Sequence, residues 1–83
     1  MTQYLSQLKE LLSPKLTAKG YKLFLMGSTL KIMKGMQTVM NIVDKGEEVE
    51  LSFKGQKYKY DKWYTKPEHL AKTILRVFEV QQL

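Results

Sequence analysis

The sequence predicts an α+β domain in which an N-terminal helix, a five-stranded antiparallel meander and a C-terminal helix follow in order, with both helices packed on one face of the sheet. Three observations carry this. Apolar residues recur at helical spacing only near the two ends, the period falls to two between them, and glycines punctuate the middle at turn-like intervals. A length of 83 residues supports one domain, 1–83, with one modest core. A hydrophobic fraction of 43% is too high for a disordered chain, and no apolar run approaches the ~18 residues of a membrane span.

The first helix is predicted over 2–19, where Leu5, Leu8, Leu11, Leu12 and Leu16 make an amphipathic stripe. Pro14 either kinks it or opens a second short turn capped by Ser13, and Gly20 ends it. The last helix is predicted over 66–80. Thr65 and Glu68 have the spacing of a capping box, and Leu70, Ile74, Val77 and Phe78 form its apolar stripe.

Between the helices, turn lengths follow from asking which loop sets apolar residues opposite one another. A two-residue turn at Gly27-Ser28 pairs Leu25 with Leu30, and a three-residue loop of Lys34, Gly35 and Met36 pairs Leu30 with Met40. Two-residue turns at Lys45-Gly46 and Lys54-Gly55 then pair Ile42 with Val49 and Leu51 with Tyr58. In this register Leu23, Leu25, Leu30, Ile32, Met40, Ile42, Val49, Leu51, Phe53, Tyr58 and Tyr60 face the helices. The other face carries Lys22, Phe24, Lys31, Met33, Val39, Asn41, Val43, Glu48, Glu50, Ser52, Lys57 and Lys59. That mixture is less polar than a simple solvated face, so Phe24, Lys31, Met33, Val39 and Val43 are an expected interaction face.

The formal net charge is +6, and Arg76 is the only arginine among 14 basic residues. Lysine is a flexible point charge suited to phosphates rather than a fork for reading base edges. On the meander, Lys19, Lys22, Lys34, Lys54 and Lys57 gather at one end of the sheet, whereas Asp44, Glu47, Glu48 and Asp61 lie at the other. Over 54–66, Lys54, Lys57, Lys59, Lys62 and Lys66 interleave with Tyr58, Tyr60, Trp63 and Tyr64, the combination that binds single-stranded nucleic acid by backbone charge and base stacking. Trp63 and Tyr64, in the connection to the last helix, are the rings expected to be available. The plainer alternative is that they cover the edge of the core.

Catalysis finds little support. His69 is the sole histidine and stands in the first turn of a helix, a poor place for an imidazolium. The Lys-Gly pairs read as turns rather than a phosphate cradle, no metal-ligand spacing occurs, and no cofactor or small-molecule substrate is expected. The sequence contains no cysteine and its first residues lack a secretory pattern, which predicts a cytoplasmic setting and no membrane association. Two functions remain. One is a nucleic-acid-binding protein using the lysine rim and 54–66. The other is a protein-interaction module docking the outer face onto a partner or a second copy of itself.

Overall fold

Leu5, Leu8, Leu12 and Leu16 recur every three or four residues, and in a computed structural model, which describes residues 3–81, they form the buried stripe of helix α1 (Gln3–Ala18). The helix runs through Pro14 as one element, and the Thr17 hydroxyl donates to the Ser13 carbonyl at 2.5 Å in the turn that Pro14 opens. Its end is a Schellman motif. Tyr21 N–H donates to the Leu16 carbonyl at 3.0 Å and Gly20 N–H to Thr17 at 3.1 Å, while Tyr21 and Leu16 are both buried. Gly20 has φ +92° and open space on the side where a methyl group would stand, so only backbone strain opposes a side chain there. Gly20→Ala is expected to cost about 1 kcal/mol, read as a lower urea midpoint at unchanged slope.

The strands are β1 (Lys22–Met26), β2 (Thr29–Lys34), β3 (Gln37–Asp44), β4 (Glu48–Phe53) and β5 (Gln56–Asp61), paired antiparallel in sequence order. Helix α2 (Pro67–Gln81) follows. The expected meander with both helices on one face is the observed architecture. Leu30, Ile32, Met40, Ile42, Val49 and Leu51 from the sheet and Leu70, Ala71, Ile74 and Phe78 from α2 join the α1 leucines in one core. The α2 contribution centres on Phe78, whose ring meets Tyr21 edge-on at 4.8 Å and Phe53 at 6.2 Å.

The two outer hairpins have the predicted register, with Leu25 opposite Leu30 and Leu51 opposite Tyr58. The two inner pairings differ from expectation by two residues. Leu30 lies opposite Ile42 and Ile32 opposite Met40, because Gly35 and Met36 alone make the turn and the register then shifts, leaving Val39 as an extra residue in a bulge. Ile42 pairs with Leu51 rather than Val49, because Asp44 accepts from Gly46 N–H at 2.9 Å and opens the turn, with Lys45 N–H donating to the Glu48 carbonyl at 2.8 Å. A shift of two keeps every side chain on its face. The bulge does not: Val39 packs against the core, so it leaves the expected interaction face, and Thr38 takes the place opposite Met33.

Helix α2 begins at Pro67 rather than Lys66, with Leu70 N–H donating to the Lys66 carbonyl at 3.0 Å. The expected Thr65–Glu68 capping bonds are not made among the described residues; the Thr65 carbonyl instead accepts the Tyr4 hydroxyl at 2.5 Å. Among the described residues, no helix is long and apolar enough to cross a membrane.

Candidate nucleic-acid interface

Both helices cover one face of the sheet, so the side chains that alternate away from them form an open surface. The cross-strand registers place Phe24, Lys31, Asn41, Ser52 and Lys57 in one row running across all five strands. With strands ~4.8 Å apart, the row spans about 19 Å. Lys22, Met33 and Thr38 flank it on one side. Met26, Thr29, Val43, Glu50 and Lys59 flank it on the other. Phe24 is 44% exposed, and Met33 and Val43 are half-buried. Lys22, Lys31, Lys57 and Lys59 make no ion pair among the described residues. Glu50 is the nearly buried acid on this face; its carboxylate accepts from Lys45 Nζ at 3.2 Å, and that bond holds its pKa below the ordinary value against the effect of burial.

The structure thus brings together residues that sequence reasoning assigned to two sites. Lys22, Lys57 and Lys59 from the basic set share a surface with Phe24, Lys31, Met33 and Val43 from the interaction face. It also separates others. Lys19, Lys34 and Lys54 sit at the end of the sheet that carries the β2–β3 and β4–β5 turns, where Lys34 Nζ lies 5.3 Å over the Tyr21 ring and Lys54 Nζ 5.6 Å over Phe53. Trp63, Tyr64, Lys62 and Lys66 lie at the opposite end. Trp63 and Tyr64 are 77% and 81% exposed, so they do not cover the core. They border a depression shared with Glu47 and Asp61, and Trp63 N–H donates to the Asp61 carboxylate at 2.7 Å. The exposed aromatic pair therefore stands beside acids, away from the lysine rim, with Lys66 Nζ 5.5 Å over Trp63.

Lys62 is committed elsewhere. Its ammonium donates to Asp44 Oδ1 and lies 5.6 Å over the Tyr4 ring, joining the start of α1, the end of β3 and the connection to α2. The Asp44 side chain is only 5% exposed, and its Oδ2 is buried without a hydrogen-bond partner among the described residues. Burial disfavours the Asp44 carboxylate, yet the hydrogen bonds from Lys62 and Gly46 and the Lys62 charge outweigh it and leave the pKa below the ordinary 3.8. Burial pushes the Tyr4 phenol up to about 12, aided by the charges of Glu68 and Asp44. No sequence periodicity pointed to this clasp, because Lys62 lies 18 residues from Asp44 and well over half the chain away from Tyr4.

Tyr58 and Tyr60 were expected in the core. Tyr60 is half-buried, but Tyr58 is 42% exposed and donates its hydroxyl to Gln56 Oε1 at 2.6 Å. Both border a cleft of about 290 Å³ between α2 and the β3–β5 side of the sheet. His69 is exposed at the start of α2, and no group of three potential metal ligands occurs among the described residues. No known protein family, curated protein or solved structure matches the chain.

Proposed function

We propose that this protein is a small non-enzymatic nucleic-acid-binding protein, cytoplasmic in setting, that lays a single strand across the open face of its sheet. The observation that carries this is the row Phe24–Lys31–Asn41–Ser52–Lys57, with Lys22 and Lys59 beside it. It combines an exposed ring for stacking with cations that follow phosphates and, at Ser52, a hydroxyl group able to meet a base edge. At a stacked rise of ~3.4 Å, the row is long enough for about five nucleotides. Relative to the sequence-based expectation, the contact surface moves from Trp63 and Tyr64, which the acids Glu47 and Asp61 make unfavourable for phosphate, to Phe24 and the lysines around it. A second copy stacked on the same face about a two-fold axis along this row would set Lys31 and Lys57 against their own counterparts, which disfavours that arrangement.

Anisotropy titration of a labelled pyrimidine oligonucleotide tests the proposal. If Lys22, Lys31, Lys57 and Lys59 each neutralise a phosphate, the log–log salt slope should be about −3, and Lys31→Ala should reduce it by about 0.7. Phe24→Ala should weaken binding by about 1–3 kcal/mol at every salt concentration. Binding that ignores salt, or that falls more for Trp63→Ala than for Phe24→Ala, would remove this surface as the site.

A further inference from the structure

The β5 edge and the cleft beneath it lie outside the surface proposed for nucleic acid, apart from the side chains of Lys57 and Lys59. Among the described residues, no strand lies beyond β5. Lys62 N–H donates to the Glu47 carbonyl at 3.0 Å, continuing the ladder in which Glu48 stands opposite Asp61. By antiparallel alternation, the backbone groups of Gln56, Tyr58 and Tyr60 point to β4 and those of Lys57, Lys59 and Asp61 point away from it. The Asp61 carbonyl is taken by Tyr64 and Thr65 N–H. Lys57 and Lys59 therefore offer both backbone groups outward, and Asp61 its N–H.

On the helix side of this edge the cleft is lined by Leu51, Phe53, Tyr58, Tyr60, Ile74 and Val77, among others. On the other side stand the ammonium groups of Lys57 and Lys59. We propose that β5 accepts a sixth strand from a partner protein, an extended segment that alternates apolar and acidic residues. Added antiparallel, the segment sets its apolar side chains opposite Tyr58 and Tyr60, above the cleft, and its carboxylates opposite Lys57 and Lys59. The chemistry selects this occupant over a second copy of β5, since antiparallel self-pairing about Tyr58 would place Lys57 against Lys59 of the other chain. Lysines on an edge also deter aggregation, but that role gives no account of an apolar cleft on the opposite side of the same strand. At the β1 edge α1 packs closely on the strand, and Leu23 and Leu25 are half-buried against the core.

The probe is a short labelled peptide alternating valine and glutamate, compared with the same composition in two blocks and with an alternating valine–lysine peptide. The alternating acidic peptide should bind tightest, and at ten times its Kd the amides of Lys57, Lys59 and Asp61 should exchange about tenfold more slowly, with those of Tyr58 and Tyr60 unchanged. Phosphate contacts to lysine side chains would not protect those edge amides. N-methylation at the peptide residue facing Lys59 should weaken binding about fivefold, and at the next residue, facing Tyr60, not at all. The double variant Lys57→Glu, Lys59→Glu should reverse the preference towards the valine–lysine peptide. Equal binding of the blocked peptide, absence of protection at Lys57 and Lys59, or protection at the β1 edge instead would overturn the proposal.

Discussion

Phe78→Ala should cost about 3–5 kcal/mol, the largest loss expected from a single core truncation in this chain. A domain of this size holds only about 4–12 kcal/mol in total, so the variant should be close to unfolded at 37 °C. Phe78 is 1% exposed and is the point where three segments meet: its own helix, the Tyr21 residue that seals the α1 exit, and Phe53 near the end of β4. Removing the ring takes away an edge-to-face contact and a tilted one, each worth ~0.5–1.5 kcal/mol beyond area burial. Local collapse cannot recover much of this, because Tyr21 is fixed by the Schellman motif at Gly20 and Phe53 by its pairing with Met40 and Gln56. The variant should lower the urea midpoint by about 3–5 M at a slope of ~1 kcal/mol/M. Phe78→Leu, which keeps most of the volume, should lose roughly 1–1.5 kcal/mol. Val80→Ala on the same helix is 58% exposed and should change stability by less than ~0.5 kcal/mol. A Phe78→Ala loss below ~1 kcal/mol would mean that α2 does not depend on this contact for its place on the sheet.

The faces of the sheet were legible in the sequence because a period of two survives any register error of two residues. Leu30 opposite Met40 and Leu30 opposite Ile42 bury the same set of side chains, so apolar pairing could not choose between them. What chose was turn chemistry outside the apolar pattern: the carboxylate of Asp44 bonding to Gly46 N–H, and a bulge that absorbed Val39. The end of α1 and the start of α2 were legible to within a residue, since Gly20 and Pro67 are each suited to one side of a helix terminus. The candidate site was legible as a set of lysines and rings but not as a grouping. Counting along 54–66 puts Trp63 beside Lys59, whereas the chain turns after Asp61 and carries Trp63 towards Glu47. Phe24 and Lys57 are adjacent to nothing in common in sequence, and only the completed ladder shows that they end the same row. The Tyr4–Lys62–Asp44 clasp lay furthest from view, because it depends on where the two helices begin relative to the β3–β4 turn.

That clasp makes the second large prediction. Asp44→Asn should destabilise the protein by about 2 kcal/mol at pH 7. Breaking a fully buried ion pair costs ~3–5 kcal/mol, and the figure is reduced here because the Lys62 side chain is 21% exposed and recovers some hydration. The amide can still accept from Gly46 N–H, so the loss isolates the charge interaction rather than the turn. The pH dependence gives a sharper signature. The folded pKa of Asp44 is depressed, so its contribution is fully present above the unfolded value near 3.8 and is lost as pH falls through the lower folded value. Urea midpoints measured from pH 7 down to about pH 2.5 should therefore fall steeply below pH 4 in the wild type and less steeply in Asp44→Asn. Glu50, also depressed by its bond to Lys45, contributes to the acid limb in the same sense, and Glu50→Gln measured alongside separates the two carboxylates. Lys62→Met should act in the opposite sense on the acid limb. With the cation gone, burial is no longer outweighed, the Asp44 pKa rises, and the variant gains relative stability as Asp44 becomes protonated. If wild type and Asp44→Asn give parallel midpoint curves below pH 4, the ion pair carries no folding free energy, and the start of α1 is then held to the β5–α2 connection by the Tyr4 hydrogen bond to Thr65 and the contact of Lys62 with the Tyr4 ring.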